Sequence, residues 1–234
     1  MDRLQKFPTL SIIIPTLNEA SHLPLLFADL NAWPYDFDLT IVDGGSKDLT
    51  IPIAQIQGAN VIKSLKQNRG YQLKIGASKA NSDWFLFLHA DSRLDSKWAH
   101  NLLAIIKKES SKNFAWYFKF KIKKYRIEYR FLELAVAIRS HLLQKPYGDQ
   151  GLLIHKDLYN LSGGFSSLKI MEDIDLITRI TKTSKVKRIG ESIYTDDTKW
   201  GNSNIIRRAI KNARLRKKWR QGYDIDNLSK EYYS

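Results

Sequence analysis

The sequence predicts an α/β fold: one mainly parallel sheet with helices on both faces. Three observations predict it. Short apolar runs alternate with helical patterns over the first hundred residues. The strand candidates are apolar throughout, as strands covered on both faces must be. The chain is 43% apolar and 26% charged, the balance of an ordinary globular protein, which excludes disorder and low-complexity repeats. Alternation at this spacing implies right-handed crossovers between neighbouring strands.

Residues 10–15, rich in isoleucine, form the first predicted strand. Residues 21–31 read as a helix, with Leu23, Leu26, Phe27 and Leu30 on one stripe and Ser21 as N-cap. A strand at 39–42 ends at Asp43-Gly44-Gly45-Ser46. Helix 48–57, a short strand at Val61-Ile62, helix 69–80, strand 84–89 and helix 96–109 follow. The last of these places Trp98, Leu102, Ile105 and Ile106 on one face. In the second half, residues 114–123 interleave aromatic and basic side chains and read as a strand, and 126–143 is helix-like. A polar turn at 147–151 precedes an apolar run at 152–155. Ser162-Gly163-Gly164-Phe165 is a loop, 173–183 a helix, 186–189 a strand and 207–221 a strongly basic helix. No internal repeat and no linker-like tract interrupts the chain, so one domain over residues 1–234 is the simplest organisation.

Charge is the unusual property. Lys and Arg number 38 against 24 Asp and Glu, a net charge of +14. The expected partner is anionic: nucleotide phosphates, nucleic acid or an acidic membrane face. The chain has no cysteine, which excludes disulfides and thiolate metal sites and fits a reducing compartment. Residues 1–8 lack the apolar core of a secretory signal, and no apolar run approaches the ~20 residues that cross a bilayer. The expectation is a soluble protein or one resting on a membrane surface.

In a parallel sheet, ligands bind beyond the carboxyl ends of the strands. Three acidic clusters stand at such places. Asp43-Gly44-Gly45-Ser46-Lys47-Asp48 follows a strand: its carboxylate suits a nucleobase or ribose, and its glycines let backbone approach a ligand. The same residues also read as a turn with Ser46 or Asp48 capping the next helix. His89-Ala90-Asp91-Ser92 follows residues 84–88. A hard divalent cation that bridges phosphates takes one or two carboxylates, and Asp91 is placed for that, although Asp91 or Ser92 would equally cap a turn. Met171-Glu172-Asp173 opens a helix, where the dipole favours ionised carboxylates, and an ionised carboxylate in a cleft serves as a general base. A plain acidic first turn is the alternative. Asp43 and Asp91 both follow strands of one sheet, which favours a shared crevice.

The order of these pieces carries further. Ile12-Ile13-Ile14-Pro15-Thr16-Leu17-Asn18-Glu19, Asp43-Gly44-Gly45-Ser46-Lys47-Asp48, Asn68-Arg69-Gly70 with Gly76, and Phe87-Leu88-His89-Ala90-Asp91-Ser92 succeed one another. Gly148-Asp149-Gln150-Gly151, Gly163-Gly164-Phe165 and Met171-Glu172-Asp173 complete the series. Over roughly residues 11–208 this resembles glycosyltransferase family 2, and within it a bacterial subgroup of short, single-domain members with a His-Ala-Asp metal motif.

The resemblance implies a GT-A, Rossmann-like fold, with a nucleotide-binding half at about 8–110, an acceptor half at about 111–200 and a basic helical tail at about 201–234. It implies an inverting transfer from a nucleotide-diphosphate sugar, a UDP-sugar foremost, to a hydroxyl acceptor that includes lipid-linked kinds. By the same resemblance Pro15 and Glu19 line the nucleoside pocket, Asp43 binds base or ribose, and Arg69 and His89 lie near the nucleotide. Asp91 is the metal ligand for Mn2+ or Mg2+, Asp173 the general base and Glu172 its neighbour. Gly163, Gly164, Asp149 and Gln150 border the acceptor and sugar, and Arg207 or Arg208 meets the diphosphate. His89 stands where many members carry Asp. That leaves one carboxylate in the motif, a set that disfavours magnesium more than manganese.

Direct displacement needs no enzyme nucleophile, in keeping with the missing cysteine. Residues 107–130 hold nine Lys or Arg against Glu109 and Glu128, and residues 207–220 hold eight with no acid. The second tract reads either as a surface helix docked by its apolar side or as an amphipathic helix on anionic lipid. Localisation is expected to be cytoplasmic or peripheral on the inner membrane face. Nucleic-acid binding is disfavoured because acidic clusters at strand ends repel phosphate backbones. A nucleotidyltransferase and a non-catalytic nucleotide-binding protein are the alternatives.

Overall fold

The computed structural model describes residues 7–195 and 205–233, with the side chains of residues 205–209 outside that description. The first half contains β1 (Leu10–Thr16), α1 (Leu23–Leu30), β2 (Asp38–Asp43), α2 (Thr50–Ile56), β3 (Asn60–Lys63), α3 (Arg69–Lys79), β4 (Trp84–Phe87), β5 (Ser92–Leu94) and α4 (Trp98–Ile106). The second half contains β6 (Ala115–Ile122), α5 (Ile127–His141), β7 (Leu152–His155), α6 (Lys156–Leu161), α7 (Glu172–Ile180), β8 (Val186–Thr195), α8 (Ile205–Arg220) and α9 (Ile225–Tyr233). Short 3-10 turns occupy Glu109–Asn113 and Gly148–Gln150.

The strands form one sheet in the order β3-β2-β1-β4-β7-β6-β8-β5. The first four run parallel, and so do β6 and β8. The antiparallel pairings, β4 with β7, β6 with β7 and β5 with β8, all involve the second half or the short β5. The sheet is therefore mainly parallel. Its core divides by the alternation of side chains along a strand. Ile12 and Ile14 of β1 pack with Leu26 of α1, Ala54 of α2 and Leu102 of α4 on one face. Ile13 packs with Leu73 of α3, Leu158 of α6 and Leu176 of α7 on the other. Both faces are covered, so Ile12, Ile13 and Ile14 are all fully buried.

Ser21 is not the cap of α1. That helix begins at Leu23, and His22 occupies the capping position without capping the helix through its side chain. The carbonyl of Glu19 takes the free N–H groups of His22 and Leu23 instead. Three elements are absent from the sequence-based expectation. β5 is three residues long and α6 six, too short to register a period. α9 is a short amphipathic helix that buries Leu228. β8 runs well past the expected Ile189, through the polar Gly190-Glu191-Ser192, because β6 beside it resumes pairing after an irregularity between Tyr117 and Lys119. Among the described residues, no helix is long and apolar enough to cross a membrane.

α3 lies directly on β1 and β2 through Gly76. A Cβ there would stand 2.6 Å from Ile13 Cγ2 and 2.9 Å from Val42 Cγ2. Gly76→Ala is therefore expected to destabilise the protein by about 1–3 kcal/mol despite its better helix propensity, measured by urea unfolding.

Candidate functional site

The carboxyl ends of β1 and β2 are clasped into one loop cluster. Asp43, 1% exposed, accepts the N–H groups of Gly45 (2.8 Å) and Ser46 (2.9 Å) and the hydroxyl groups of Thr16 (3.2 Å) and Ser46. Gly45 adopts φ 98°, a conformation that favours glycine. From the β1 side Asn18 donates its N–H to Ser46 Oγ (2.8 Å), and its side-chain oxygen accepts the N–H of Lys47 (2.8 Å). Glu19 donates its N–H to Thr50 Oγ1, and its carboxylate lies 2.7 Å from His22 Nδ1. Asp48 accepts from Thr50, whose hydroxyl holds the Asp48 carboxyl below its ordinary value. Pro15 stands opposite Val42 in the adjoining strand. Pro15, Glu19 and Asp43 thus share one edge of the sheet. Gln72 of α3, buried, donates to the carbonyls of Thr16 (3.0 Å) and Val42 (2.7 Å) and ties α3 to both strand ends. Its role left no trace in the sequence, since a Gln on a helix is ordinarily solvated.

A cavity opens beside β4. Its wall includes His89, Tyr147, Gly148, Phe165, Glu172 and Asp173. Three distant segments meet here. Gly148 donates its N–H to Asp173 Oδ2 at 2.6 Å. A Cβ on Gly148 would stand 2.8 Å from His89 Nε2 and 3.3 Å from Asp173 Oδ2, so only glycine permits this approach. Asp173 Oδ1 accepts the N–H of Ile174 (2.8 Å), which leaves the carboxylate in one orientation. Met171, at the cap of α7, holds φ 65° and ψ 11° with no side-chain cap bond. A left-handed non-glycine residue stores on the order of 1–3 kcal/mol of strain, and here it lies next to the acid pair.

Glu172 is 1% exposed and ion-paired with Arg69, the first residue of α3. Burial pushes the Glu172 carboxyl up, Arg69 pulls it back, and the charge of Asp173 pushes it up again. Glu172 Oε2 has no hydrogen-bond partner among the described residues. Burial pulls the Arg69 guanidinium down, but the charges of Glu172 and Asp173 outweigh it and hold it firmly protonated. The loop carrying Ser166 and Leu168 comes against α3 at Gly70, where a Cβ would be 2.3 Å from the Ser166 carbonyl oxygen.

Asp149 lies in the same field. Burial raises its carboxyl, Arg139 opposes that, and the charges of Asp173 and Asp91 add to it. Its Oδ1 is buried with no hydrogen-bond partner among the described residues. Asp91, 7% exposed, accepts the hydroxyl of Thr195 at 3.5 Å. Among the described residues no three His, Cys, Asp or Glu side chains are grouped to hold a metal. A divalent ion that retains waters and phosphate oxygens needs only one or two carboxylates. Asp91 and the unpartnered oxygen of Asp149, which feel one another's charge, fit that requirement.

Other expected site residues sit elsewhere. Asp43 does not line the cavity; it lies two strands away along the same edge. Gln150 is 1% exposed, and its amide is engaged by Arg139, Ser140 and the Phe118 carbonyl, so it shapes the turn from within. Gly163 and Gly164 hold φ 77° and 61°, and a Cβ on Gly164 would be 2.8 Å from the Tyr159 ring. Neither lines the cavity, although the next residue, Phe165, does. The side chains of Arg207 and Arg208 lie outside the described residues. Further along α8, Leu215 is fully buried against Ile170, Met171, Ile174 and Leu228, so this helix braces the start of α7.

Sequence reasoning missed Tyr147, Arg139 and Arg216. Arg139 lies 3.5 Å and Arg216 5.2 Å from the centroid of the Tyr147 ring. Burial pulls Arg216 below its ordinary value. The only available signal was an aromatic residue at the head of a polar turn.

Arg69→Leu leaves Glu172 buried without its cation. The expected loss is about 2–4 kcal/mol in urea unfolding, moderated because Arg69 is 32% exposed, and Arg69→Leu with Glu172→Leu should recover most of it. For Asp149 the folded carboxyl is raised, so the native state holds the proton to higher pH than the unfolded chain. Stability then falls as pH rises from the ordinary carboxylate range through the raised value, and the ionised group is a liability at neutral pH. Asp149→Asn, melted in chelator, should raise Tm by about 2–4 °C at pH 7, and the gain should vanish at pH 3.

A model of "Glycosyl transferase family 2" matches residues 11–171. A PGL/p-HBAD biosynthesis glycosyltransferase of Mycobacterium bovis (strain BCG / Pasteur 1173P2) is 39% identical over 94 residues, which are 37% of this chain and 37% of that protein. A 4,4'-diaponeurosporenoate glycosyltransferase of Staphylococcus haemolyticus is 34% identical over 105 residues, 42% of this chain and 28% of that protein. The chain thus spans well under half the length of these relatives. Among solved structures, the mannosyltransferase PcManGT from Pyrobaculum calidifontis, in complex with GDP-Man and Mn2+, superposes with TM-score 0.65 at 16% identity, covering 90% of this chain and 62% of that one. TarS of S. aureus in complex with UDP-GlcNAc gives 0.63 at 17% identity, covering 80% and 58%. At these identities the likeness establishes the fold, which is GT-A. The family match extends over more than half of the chain, so the protein belongs to glycosyl transferase family 2.

Proposed function

We propose that the protein moves a sugar from a nucleotide-diphosphate sugar, a UDP-sugar foremost, to a hydroxyl acceptor with inversion at the anomeric carbon. One observation carries this reading: the Asp173 carboxylate is fixed in the cavity wall by the Gly148 N–H, beside the buried Glu172–Arg69 pair. A base so held can reach an acceptor hydroxyl at hydrogen-bond distance, about 3 Å. Both relatives named above are glycosyltransferases, and the two solved neighbours hold a nucleotide sugar.

In the proposed reaction the acceptor oxygen bonds to the anomeric carbon as the bond from that carbon to the diphosphate oxygen breaks. The acceptor proton passes to Asp173, and the electron pair of the broken bond leaves on the nucleotide diphosphate. Asp43, with Pro15 and Glu19 beside it, receives the nucleoside on the clasped loop. His89, whose imidazole approaches Gly148 in the cavity wall, would meet the ribose. Asp91 and Asp149 would hold Mn2+ or Mg2+; when bound, such an ion neutralises charge that develops on the departing phosphate. Arg69 fixes Glu172 and so fixes the first turn of α7, on which Asp173 stands.

Asp173→Asn keeps the size and the Gly148 bond but removes the base. Turnover, followed by release of nucleotide diphosphate from a panel of nucleotide sugars, should fall about 10²–10⁴-fold. Binding of the nucleotide diphosphate, by calorimetry, should stay within about twofold, because the group acts on the acceptor and not on the donor. Retained turnover would remove Asp173 from the role of base.

A further inference from the structure

Helix α5 is apolar on two opposite sides. It buries Tyr129 and Val136 against Phe120 and Ile122 of β6. On the far side Ile127, Phe131, Leu134, Ile138 and Leu142 fall within an arc of about 80° at helical spacing. These five are between 48% and 70% exposed. Tyr125 before them and Leu143 after them are exposed as well, at 85% and 59%. A surface helix of a globular protein turns polar residues outward, and an apolar stripe of this length on the outside marks an interaction surface.

The charges around the stripe identify what covers it. Lys123, Lys124 and Arg126 stand exposed directly before it, and Lys145 directly after it. Glu128 is the one exposed acid between residues 123 and 145. Cations at both ends of an apolar face complement anionic headgroups over acyl chains. A second copy fits poorly. Antiparallel pairing of two such stripes would set the cations before one helix against Lys145 of the other, in a chain whose net charge is already +14.

We infer that α5 is an interfacial helix that seats the protein on an anionic lipid surface, with residues Ile127, Phe131, Leu134, Ile138 and Leu142 in the acyl boundary. The basic helix α8 docks by Leu215, fully buried beside Met171 and Leu228, and turns Ile210 outward among its cations, an apolar edge far smaller among the described residues than that of α5. α5 also reaches the site. Arg139 and Ser140 both bond Gln150 Oε1, at 3.0 and 2.7 Å, in the turn whose Gly148 holds Asp173. Seating α5 on a bilayer therefore brings the Asp173 cavity close to lipid. The corollary, an acceptor hydroxyl carried on an amphiphile, rests on the transferase reading; the docking itself does not.

The test uses the full chain and extruded vesicles of phosphatidylcholine, alone or with an equal share of phosphatidylglycerol. The protein should sediment with the anionic vesicles and not with phosphatidylcholine alone. Phe131→Ser with Leu134→Ser and Ile138→Ser should weaken that association ~10-fold or more while nucleotide-diphosphate binding and the melting curve stay unchanged. Lys217→Glu with Lys218→Glu on α8 should weaken it less. The chain has no cysteine, so Leu134→Cys accepts one polarity-sensitive label, whose emission should shift to the blue on anionic vesicles. Equal sedimentation of wild type and triple variant, a label whose emission does not move, or a wild-type dimer that the triple variant converts to monomer would each overturn the inference. Loss of docking with intact nucleotide binding keeps this result separate from the fate of the transferase reading.

Discussion

The ion pair between Arg69 and Glu172 joins the two halves of the chain at the wall of the cavity. Arg69 begins α3, which lies on β1 and β2; Glu172 begins α7, which follows the glycine loop of the second half. A carboxylate that is 1% exposed has lost its water, and only a close cation with good geometry makes that tolerable. The pair therefore locks the register between the two helix starts. Asp173 follows Glu172 by one residue, so its position is set by the same lock. Leu215 of α8 and Leu228 of α9 close over Met171 and Ile174 behind it, and the strained backbone of Met171 is held by this packing.

The site carries more negative charge than the chain as a whole would suggest. Asp91 and Asp173 both act on Asp149, and Asp149 and Glu172 each keep a buried oxygen without a partner among the described residues. Arg69, Arg139 and Arg216 stand close by and offset part of that charge. Such an arrangement is unfavourable in isolation and becomes favourable when a cation and a polyanion enter together. That electrostatic pattern is what supports the proposed site for a metal-bound diphosphate, in which binding would complete interactions that folding leaves open. Along the same edge the Asp43 loop is already satisfied, clasped by Thr16, Ser46 and the neighbouring backbone, and so presents a preformed surface.

The surface divides the positive charge between two uses. On α8 the cations surround a helix whose Leu215 is turned into the protein. Around α5 they border an apolar stripe that turns outward. The same net charge therefore accompanies an inward brace in one place and an outward apolar edge in the other, and α5 connects that edge to the Gly148–Gln150 turn through Gln150.

Much of the first half was legible from sequence because both faces of its strands are covered, and continuous apolar runs such as Ile12-Ile13-Ile14 announce that directly. The acidic clusters after those runs were legible too, and Asp43 stands at the end of β2 as expected. Other features depend on residues far apart in the chain. Glycine at 148 is required because His89 and Asp173, 59 and 25 positions away, approach the same point. Glycine at 164 serves the Tyr159 ring instead of the cavity. The polar end of β8 is a strand because β6 and β5 pair with it from either side. A heptad-like stripe on α5 reads the same whether it faces core or solvent, and only the sheet beneath it decides which side is left outside. Local sequence determines what an element is; which groups lose their water, and beside which charges, is settled when distant elements pack.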